Sequence, residues 1–378
     1  MTVLEQDHVN GVRAHHGSHT RLVEFQGELD GGCASIDAIV VPTARPAVHL
    51  GPVAGLARQL GCLLVVLCSA QARSQAVAEL VTSRPGLRAA LVDLPLRFQH
   101  RLLDLRTSTH PQAGLDRHVD LSTKRNLALL LARMLGWRQV LFVDDDIRGL
   151  DAGMLVRGSS LLGRYAAVGF RVEEFPDNSV VCHAHRLSGG NQDTFVGGSA
   201  LLVDTAQVSS FFPAVYNEDW LFLYDLVRAR RVACAGSTTQ LAYDPFASPL
   251  RATSEEFGDL LAETLFWPLH GNANVRTSGR WFWRMGIRRR SVFLEGVTNR
   301  LLAAPSFHPA TGRELAAVAA AKARLDGIEP GDCQSFLDDW RADLSNWLDR
   351  LLELPSFTTE RQAFGYLDLP VVSLEVTR

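Results

Sequence analysis

Between residues 36 and 143 the chain alternates short, unbroken apolar runs with stretches whose apolar residues recur at helical spacing. The runs 36–41, 62–68 (CLLVVLC), 89–94 and 139–143 (QVLFV) have the length and branched-aliphatic content of buried strands. Between them, 46–60, 72–81 and 126–135 read as helices, the last with leucines and alanines at helical spacing. Strand, helix, strand in repetition predicts βαβ units and an α/β fold on a mostly parallel, Rossmann-like sheet flanked by helices. Ligands of such sheets gather at the carboxyl ends of the strands. Pro42 (expected to end the first strand), Thr43, Ser69 and the triplet Asp144, Asp145 and Asp146 all fall at such ends and can share one crevice.

The second half is less regular. A strand is expected at 199–203, a helix at 220–229 and a strand at 232–234; beyond about residue 270 the alternation stops. Two amphipathic helices follow at 314–325 and 335–352, the second with Phe336, Trp340, Leu344, Trp347 and Leu351 on one face. Residues 1–34 are polar and aperiodic, as a mobile leader or a poorly packed edge would be. The expected organisation is that leader, an α/β domain over 35–270, and a mainly helical C-terminal extension over 271–378.

Composition narrows the class. With 378 residues, 47% of them hydrophobic and 21% charged, the chain can bury a large core. A net charge of −3 gives no electrostatic reason for a nucleic-acid partner. No apolar run is long enough to cross a membrane, and the start has no secretory apolar segment, so a cytoplasmic protein is expected. The six cysteines form no CxxC pair; Cys62, Cys68, Cys182 and Cys234 lie in apolar runs, as buried free thiols do. Of 38 basic residues only Lys124 and Lys322 are lysines. A lysine kept against that bias draws attention to Lys124.

Three carboxylates at the end of an apolar strand repel one another unless a cation or water intervenes. Opening onto a crevice, they suit a hard divalent cation shared with substrate phosphates; a solvated acidic turn is the plain alternative. Around the triplet stand Lys124, Arg125 and Asn126, then a helix, then LFVDDDI. Upstream is Val40-Val41-Pro42-Thr43-Ala44-Arg45-Pro46; downstream are Gly197-Gly198-Ser199 and Asn217-Glu218-Asp219-Trp220. In this order the four blocks resemble GT-A fold glycosyltransferases, particularly the family 2-like group, over residues 36–235.

The resemblance implies a donor half up to about residue 150 and an acceptor half after it. It implies Mn²⁺ or Mg²⁺ at Asp146 and Asp144, with Asp144 reaching the metal through water or touching the donor ribose. Pro42, Thr43, Arg45 and Asp145 join the donor site, and Lys124 and Arg125 face the diphosphate. An acidic residue that the family carries after its second strand is missing; Ser69 or Asp93 is the substitute. Gly197, Gly198 and Trp220 fall on the acceptor side. Asp219 is the expected general base of an inverting transfer, with Glu218 as the other catalytic candidate. His270 is either a third metal ligand, as in some retaining enzymes, or a loop histidine. Asn126 is expected to cap its helix, and Asp338 and Asp339 to lie on a solvated helix face.

The implied donor is a UDP-, GDP- or dTDP-sugar, and the acceptor a small molecule, a glycan or a lipid-linked hydroxyl. The stretch 281–290 (WFWRMGIRRR), from Trp281 to Arg290, mixes aromatics with arginines, as a segment resting on an anionic bilayer does or as an ordinary packed helix does. His183 and His185 are close enough to chelate, and 177–190 is polar and ends in glycine, as a closing loop would. Homodimerisation is left open. Two other functions fit parts of the pattern: a sugar-nucleotide nucleotidyltransferase, disfavoured by the missing glycine-rich loop after the first strand, and an inactive nucleotide-sugar-binding protein.

Overall fold

A computed structural model describes residues 8–9, 12–13, 22–25, 35–95, 97–112, 116–175, 178–190, 196–270, 277–303 and 312–375. The expected leader, apart from three short pieces, lies outside these residues.

The apolar runs form strands β1 (Ala38–Thr43), β2 (Leu63–Cys68), β3 (Arg88–Asp93) and β4 (Gln139–Val143), joined by helices α1 (Gly51–Leu60), α2 (Ser74–Thr82) and α3 (Asp116–Leu135). Beyond them come α4 (Ala152–Leu161), β5 (Ala167–Glu173), α5 (Val180–Leu187), β6 (Ala200–Asp204), α6 (Glu218–Arg228), β7 (Val232–Gln240) and α7 (Pro249–Phe266). The C-terminal part holds α8 (Arg280–Ala303), α9 (Gly312–Asp326), α10 (Pro330–Glu353), α11 (Glu360–Tyr366) and β8 (Val372–Glu375).

One sheet contains all eight strands in the order β8-β3-β2-β1-β4-β6-β5-β7, and Glu24–Phe25 adds a last short strand beside β7. β1 is parallel to β2 and to β4, and β2 to β3, so Thr43, Ser69 and the aspartates do emerge on one edge. The sheet is mixed, however: β6 runs antiparallel to both β4 and β5, and β8 antiparallel to β3. The fold is therefore α/β with helices on both faces, and less uniformly parallel than expected.

Alternation along each strand divides the core. Ala38 and Val40 point into one buried cluster, Ile39 and Val41 into the other. Both faces are covered, which is why these strands read as continuous apolar runs. Local signals fix the ends. Gly61, at a φ of 69°, closes α1 with its N–H on the carbonyls of Ala57 and Arg58. Pro330 and a Glu329/Asp332 capping box open α10.

Several expectations are corrected. Pro42 lies inside β1 rather than ending it. α3 starts at Asp116, about two turns before Lys124, and its polar first turns hide its apolar period; Lys124, Arg125 and Asn126 are thus mid-helix. Asn126 caps nothing: its side-chain amide exchanges two 2.8 Å hydrogen bonds with the backbone of Phe212. Residues 178–190 contain a helix, α5, whose first six residues are buried, so this segment is not an open polar loop. Its first turn is capped by Ser179, a signal outweighed in the sequence by the flanking glycines.

The C-terminal extension is not purely helical either. β8 returns to the sheet edge beside β3, and Phe336, Trp340 and Trp347 of α10 sit in the same buried cluster as α3. Asp343 of α10 accepts hydrogen bonds from the backbone of Arg106 and Thr107. Among the described residues no helix is long and apolar enough to cross a membrane. The five described cysteines are free and buried.

Candidate functional site

A cavity of about 590 Å³ opens at the carboxyl ends of β1 and β4. At one end stand Thr43, Arg45 and the three aspartates, with Gln240 at the end of β7 on Asp146; the start of α5 and one side of α7 line the remainder. Ten acidic and four basic side chains line it.

The triplet is spread around the strand end rather than gathered. Asp144 has its N–H on the Ser199 carbonyl and its carboxylate on Arg125 Nη2 at 2.9 Å. Asp145 accepts from Thr43 Oγ1 at 2.5 Å and from Arg45 at 2.9 Å. Asp146 accepts from Arg45 at 2.8 Å and from Gln240 Nε2 at 3.0 Å. Burial raises the Asp144 carboxyl to about 6, against the pull of Arg125. Burial lowers the pKa of Arg45, but Asp146 and Asp145 outweigh it and hold the guanidinium above its ordinary value.

Arg125 is the hub. Buried beneath the cavity, it donates to Glu218 Oε1 at 2.5 Å as well as to Asp144, and its plane rests over Phe212. A Cβ at Gly198 would lie 2.7 Å from Arg125 Nη1 and 3.0 Å from Asp219 Cβ, so a larger residue there would push the buried guanidinium aside. Gly197, just before it, is buried. The Gly198 N–H donates to Asp219 Oδ2 at 2.5 Å, while Asp219 Oδ1 accepts from the Trp220 N–H. Asn217, at a φ of 61° that asparagine tolerates better than most residues, turns the chain into α6 and is held by Asp259 at 2.9 Å. That turn puts Glu218 and Asp219 on the first turn of α6, facing the cavity. Burial pushes the Glu218 carboxyl upward, opposed by Arg125 and reinforced by Asp219.

Lys124 does not point at open space. Its ammonium donates to the Thr43 carbonyl at 2.9 Å, Ser69 Oγ at 2.6 Å and Asp120 Oδ2 at 2.7 Å. Its three hydrogens therefore brace the end of β1 against α3, and burial lowers its pKa. Ser69 is part of that brace and does not line the cavity; Asp93 caps α2 through the N–H and hydroxyl of Ser74 and does not line it either. Trp220 touches the cavity but is only 4% exposed, packed on Phe266.

Compared with known proteins, the chain matches no family model and no curated protein. The chemistry of the site must carry the reading.

His270 ends a short turn after α7 and does not line the cavity. His183 bonds Tyr243 Oη, and His185 bonds Arg300, so the two histidines of α5 serve different contacts rather than one chelate. Among the described residues no three His, Cys, Asp or Glu side chains are arranged to hold a metal by themselves. A cation shared with a diphosphate needs fewer protein ligands. Asp146 Oδ1, buried and without a hydrogen-bond partner among the described residues, fits that demand.

The far end of the cavity escaped the sequence reading. It uses Asn178, Tyr243, Arg251 and a stripe of α7 carboxylates at 255, 259 and 263, and Gln240 links it to Asp146. Carboxylates four apart on a helix pass for a solvated face; Arg251, four before Glu255, relieves only the first of them, and nothing on the same helix relieves 259 and 263. Asp120, four before Lys124, was visible as an i,i+4 ion pair only once α3 was known to start so early.

Segment 281–290 begins with an exposed Trp281, but Phe282, Trp283 and Arg290 are buried, so it is a packed helix start carrying one exposed indole.

Proposed function

We propose that the chain is a GT-A, family 2-like glycosyltransferase that moves a sugar from a nucleoside diphosphate to a hydroxyl at this cavity. The observation that carries the reading is the convergence at Arg125. Three of the four sequence blocks meet there: Arg125 of α3 with Asp144 after β4, Gly198 before β6, and Glu218 from α6, while Arg45 of the first block reaches Asp145 and Asp146 beside them. Such blocks have no shared structural reason to converge on a cavity lined by ten carboxylates. A site that receives a nucleotide sugar and an acceptor hydroxyl does give one.

The surplus of negative charge explains why a diphosphate would enter with Mn²⁺ or Mg²⁺. Asp146 and Asp144 would hold the cation, which would supply positive charge against the charge building on the leaving diphosphate. Arg45 stands beside it as the nearest half-exposed cation, free to turn from Asp145 and Asp146 to a phosphate oxygen. Thr43 and Pro42 form the floor next to the nucleotide, and Lys124 acts indirectly by keeping that floor in place. Asp219, oriented by two backbone N–H groups, takes the acceptor's proton. The acceptor oxygen then bonds to the anomeric carbon, and the bond to the diphosphate breaks with its electron pair going to phosphate. Glu218 stays on Arg125 and keeps the acidic pair in register.

The test is turnover on UDP-, GDP- and dTDP-sugars with Mn²⁺, read as release of nucleoside diphosphate and as NMR of the product. Asp219→Asn should lower kcat by about 10²–10⁴-fold with donor affinity nearly unchanged. A variant as active as the wild type removes Asp219 from the chemistry. No turnover with any donor removes the reading itself.

A further inference from the structure

The cavity is larger than the donor blocks account for, and its far end carries polar atoms that protein structures seldom leave alone. Asn178 is 2% exposed and lines the cavity, yet neither its Nδ2 nor its Oδ1 has a hydrogen-bond partner among the described residues. Gln240 Oε1, also lining the cavity, is in the same condition. A buried amide left without partners costs about 1–3 kcal/mol, so a fold under no other demand would place an apolar residue there.

The backbone around Asn178 is firmly held. Tyr243 Oη donates to its carbonyl at 3.3 Å, and Arg251 donates to Tyr243 Oη at 3.0 Å. Two residues on, the Val180 N–H donates to Glu255 Oε2 at 2.8 Å. The amide is thus fixed at the cavity wall with one donor group and one acceptor ready. That pair matches a hydroxyl, which both gives and accepts a hydrogen bond.

Charge decides which hydroxyl compound. Every basic side chain lining the cavity is already ion-paired: Arg45 with Asp145 and Asp146, Lys124 with Asp120, Arg125 with Asp144 and Glu218, Arg251 with Glu255. An anionic group at the far end would meet Asp259, whose carboxylate is already engaged by Arg290 and Asn217, and no unpaired basic side chain among those lining the cavity. The donor diphosphate brings its own divalent cation; an acceptor brings none.

We propose that the end of the cavity formed by Asn178, Tyr243 and α7 binds a neutral polyhydroxylated acceptor (a sugar, glycoside or cyclitol) and discriminates against phosphorylated or carboxylated ones. This rests on the transferase reading above and narrows its acceptor class. Asn178 is the specificity-determining residue: its amide clamps a ring hydroxyl while Asp219 faces the attacking one.

The experiment pairs two measurements on the full chain. Binding is read by saturation-transfer NMR, without nucleotide, on hexoses, their methyl glycosides and myo-inositol, each beside its phosphate ester or uronic acid. Neutral compounds should bind and their anionic counterparts should bind about tenfold more weakly or not at all. Asn178→Leu should weaken neutral-compound binding about tenfold while leaving UDP and GDP affinity in Mn²⁺ unchanged. Its Tm should rise, because two unsatisfied buried atoms are gone; a purely structural asparagine would lower it. Anionic compounds binding best, no compound binding at all, or a lower Tm with unchanged sugar affinity would each overturn the proposal. Failure of UDP, GDP and dTDP alone to bind would instead strike the transferase reading, because the sugar measurements do not use nucleotide.

Discussion

Two clusters in this protein set arginine against carboxylates, and they are built for opposite ends. At the cavity mouth Arg45, with its side chain 46% exposed, lies across Asp145 and Asp146, and Asp146 Oδ1 is left unpartnered. Where α8 packs on α7, Arg290 is sealed: it makes two bonds to Glu256, one to Asp259 and one to Glu263, all at 2.6–2.8 Å. The first arrangement can exchange one cation for another because water reaches it. The second cannot, because removing either partner strands a charge in a low-dielectric interior. Identical chemistry becomes a site or a rivet according to how much solvent it keeps.

The comparison breaks most visibly at the rivet. Arg290→Met should cost about 3–5 kcal/mol in urea unfolding, since three carboxylates lose their common partner. α8 would then detach from α7 before the sheet melts. A loss below about 1 kcal/mol would mean that the cluster contributes little to the fold.

A smaller effect follows from pH. Burial, opposed by Arg290, lifts Glu256 to about 7 and Glu263 to about 8, from an ordinary 4.5. A carboxyl raised on folding holds its proton more tightly in the folded chain. Its stabilising effect is full below about pH 4.5 and is lost as pH climbs through the folded value. Stability should therefore fall between pH 5 and 8, and Glu263→Gln should flatten that slope by on the order of 1 kcal/mol. Equal slopes in variant and wild type would mean that Glu263 stays ionised throughout.

The smallest effect belongs to the mouth. Arg45→Ala should change stability by about 0–1 kcal/mol, as expected of an exposed pair, yet weaken nucleoside diphosphate binding severalfold. Large destabilisation would show that Arg45 is a structural residue.

The same contrast explains what could be read before any coordinates. The strands were legible because both faces of the sheet are covered, so Leu63–Cys68 has no polar interruption, and the aspartates stood out where such a run stops. Their convergence with Glu218 on Arg125 was legible only as block order. The brace of Lys124, Ser69 and Asp120 was not legible, because Asp120 lies in the polar early turns of α3, which show no apolar period. Nor was the far end of the cavity. Asn178 carries no local signal for burial, and the α7 carboxylates look like a solvated face until Arg290, arriving from α8, gives them a partner across the helix interface. Contacts that depend on two distant elements meeting leave little trace in either one.

The central claim is that Asp144, Asp145 and Asp146 receive a nucleoside diphosphate together with a divalent cation. It is tested most directly by isothermal titration of UDP and GDP into the wild-type protein and Asp146→Asn, each with Mn²⁺ and with EDTA. The account predicts binding by the wild type in Mn²⁺, weakened at least about tenfold by EDTA. Asp146→Asn should bind as weakly in Mn²⁺ as the wild type does in EDTA, with an unchanged unfolding transition. Nucleotide affinity that is equal with and without metal, or unaltered by Asp146→Asn, would contradict it.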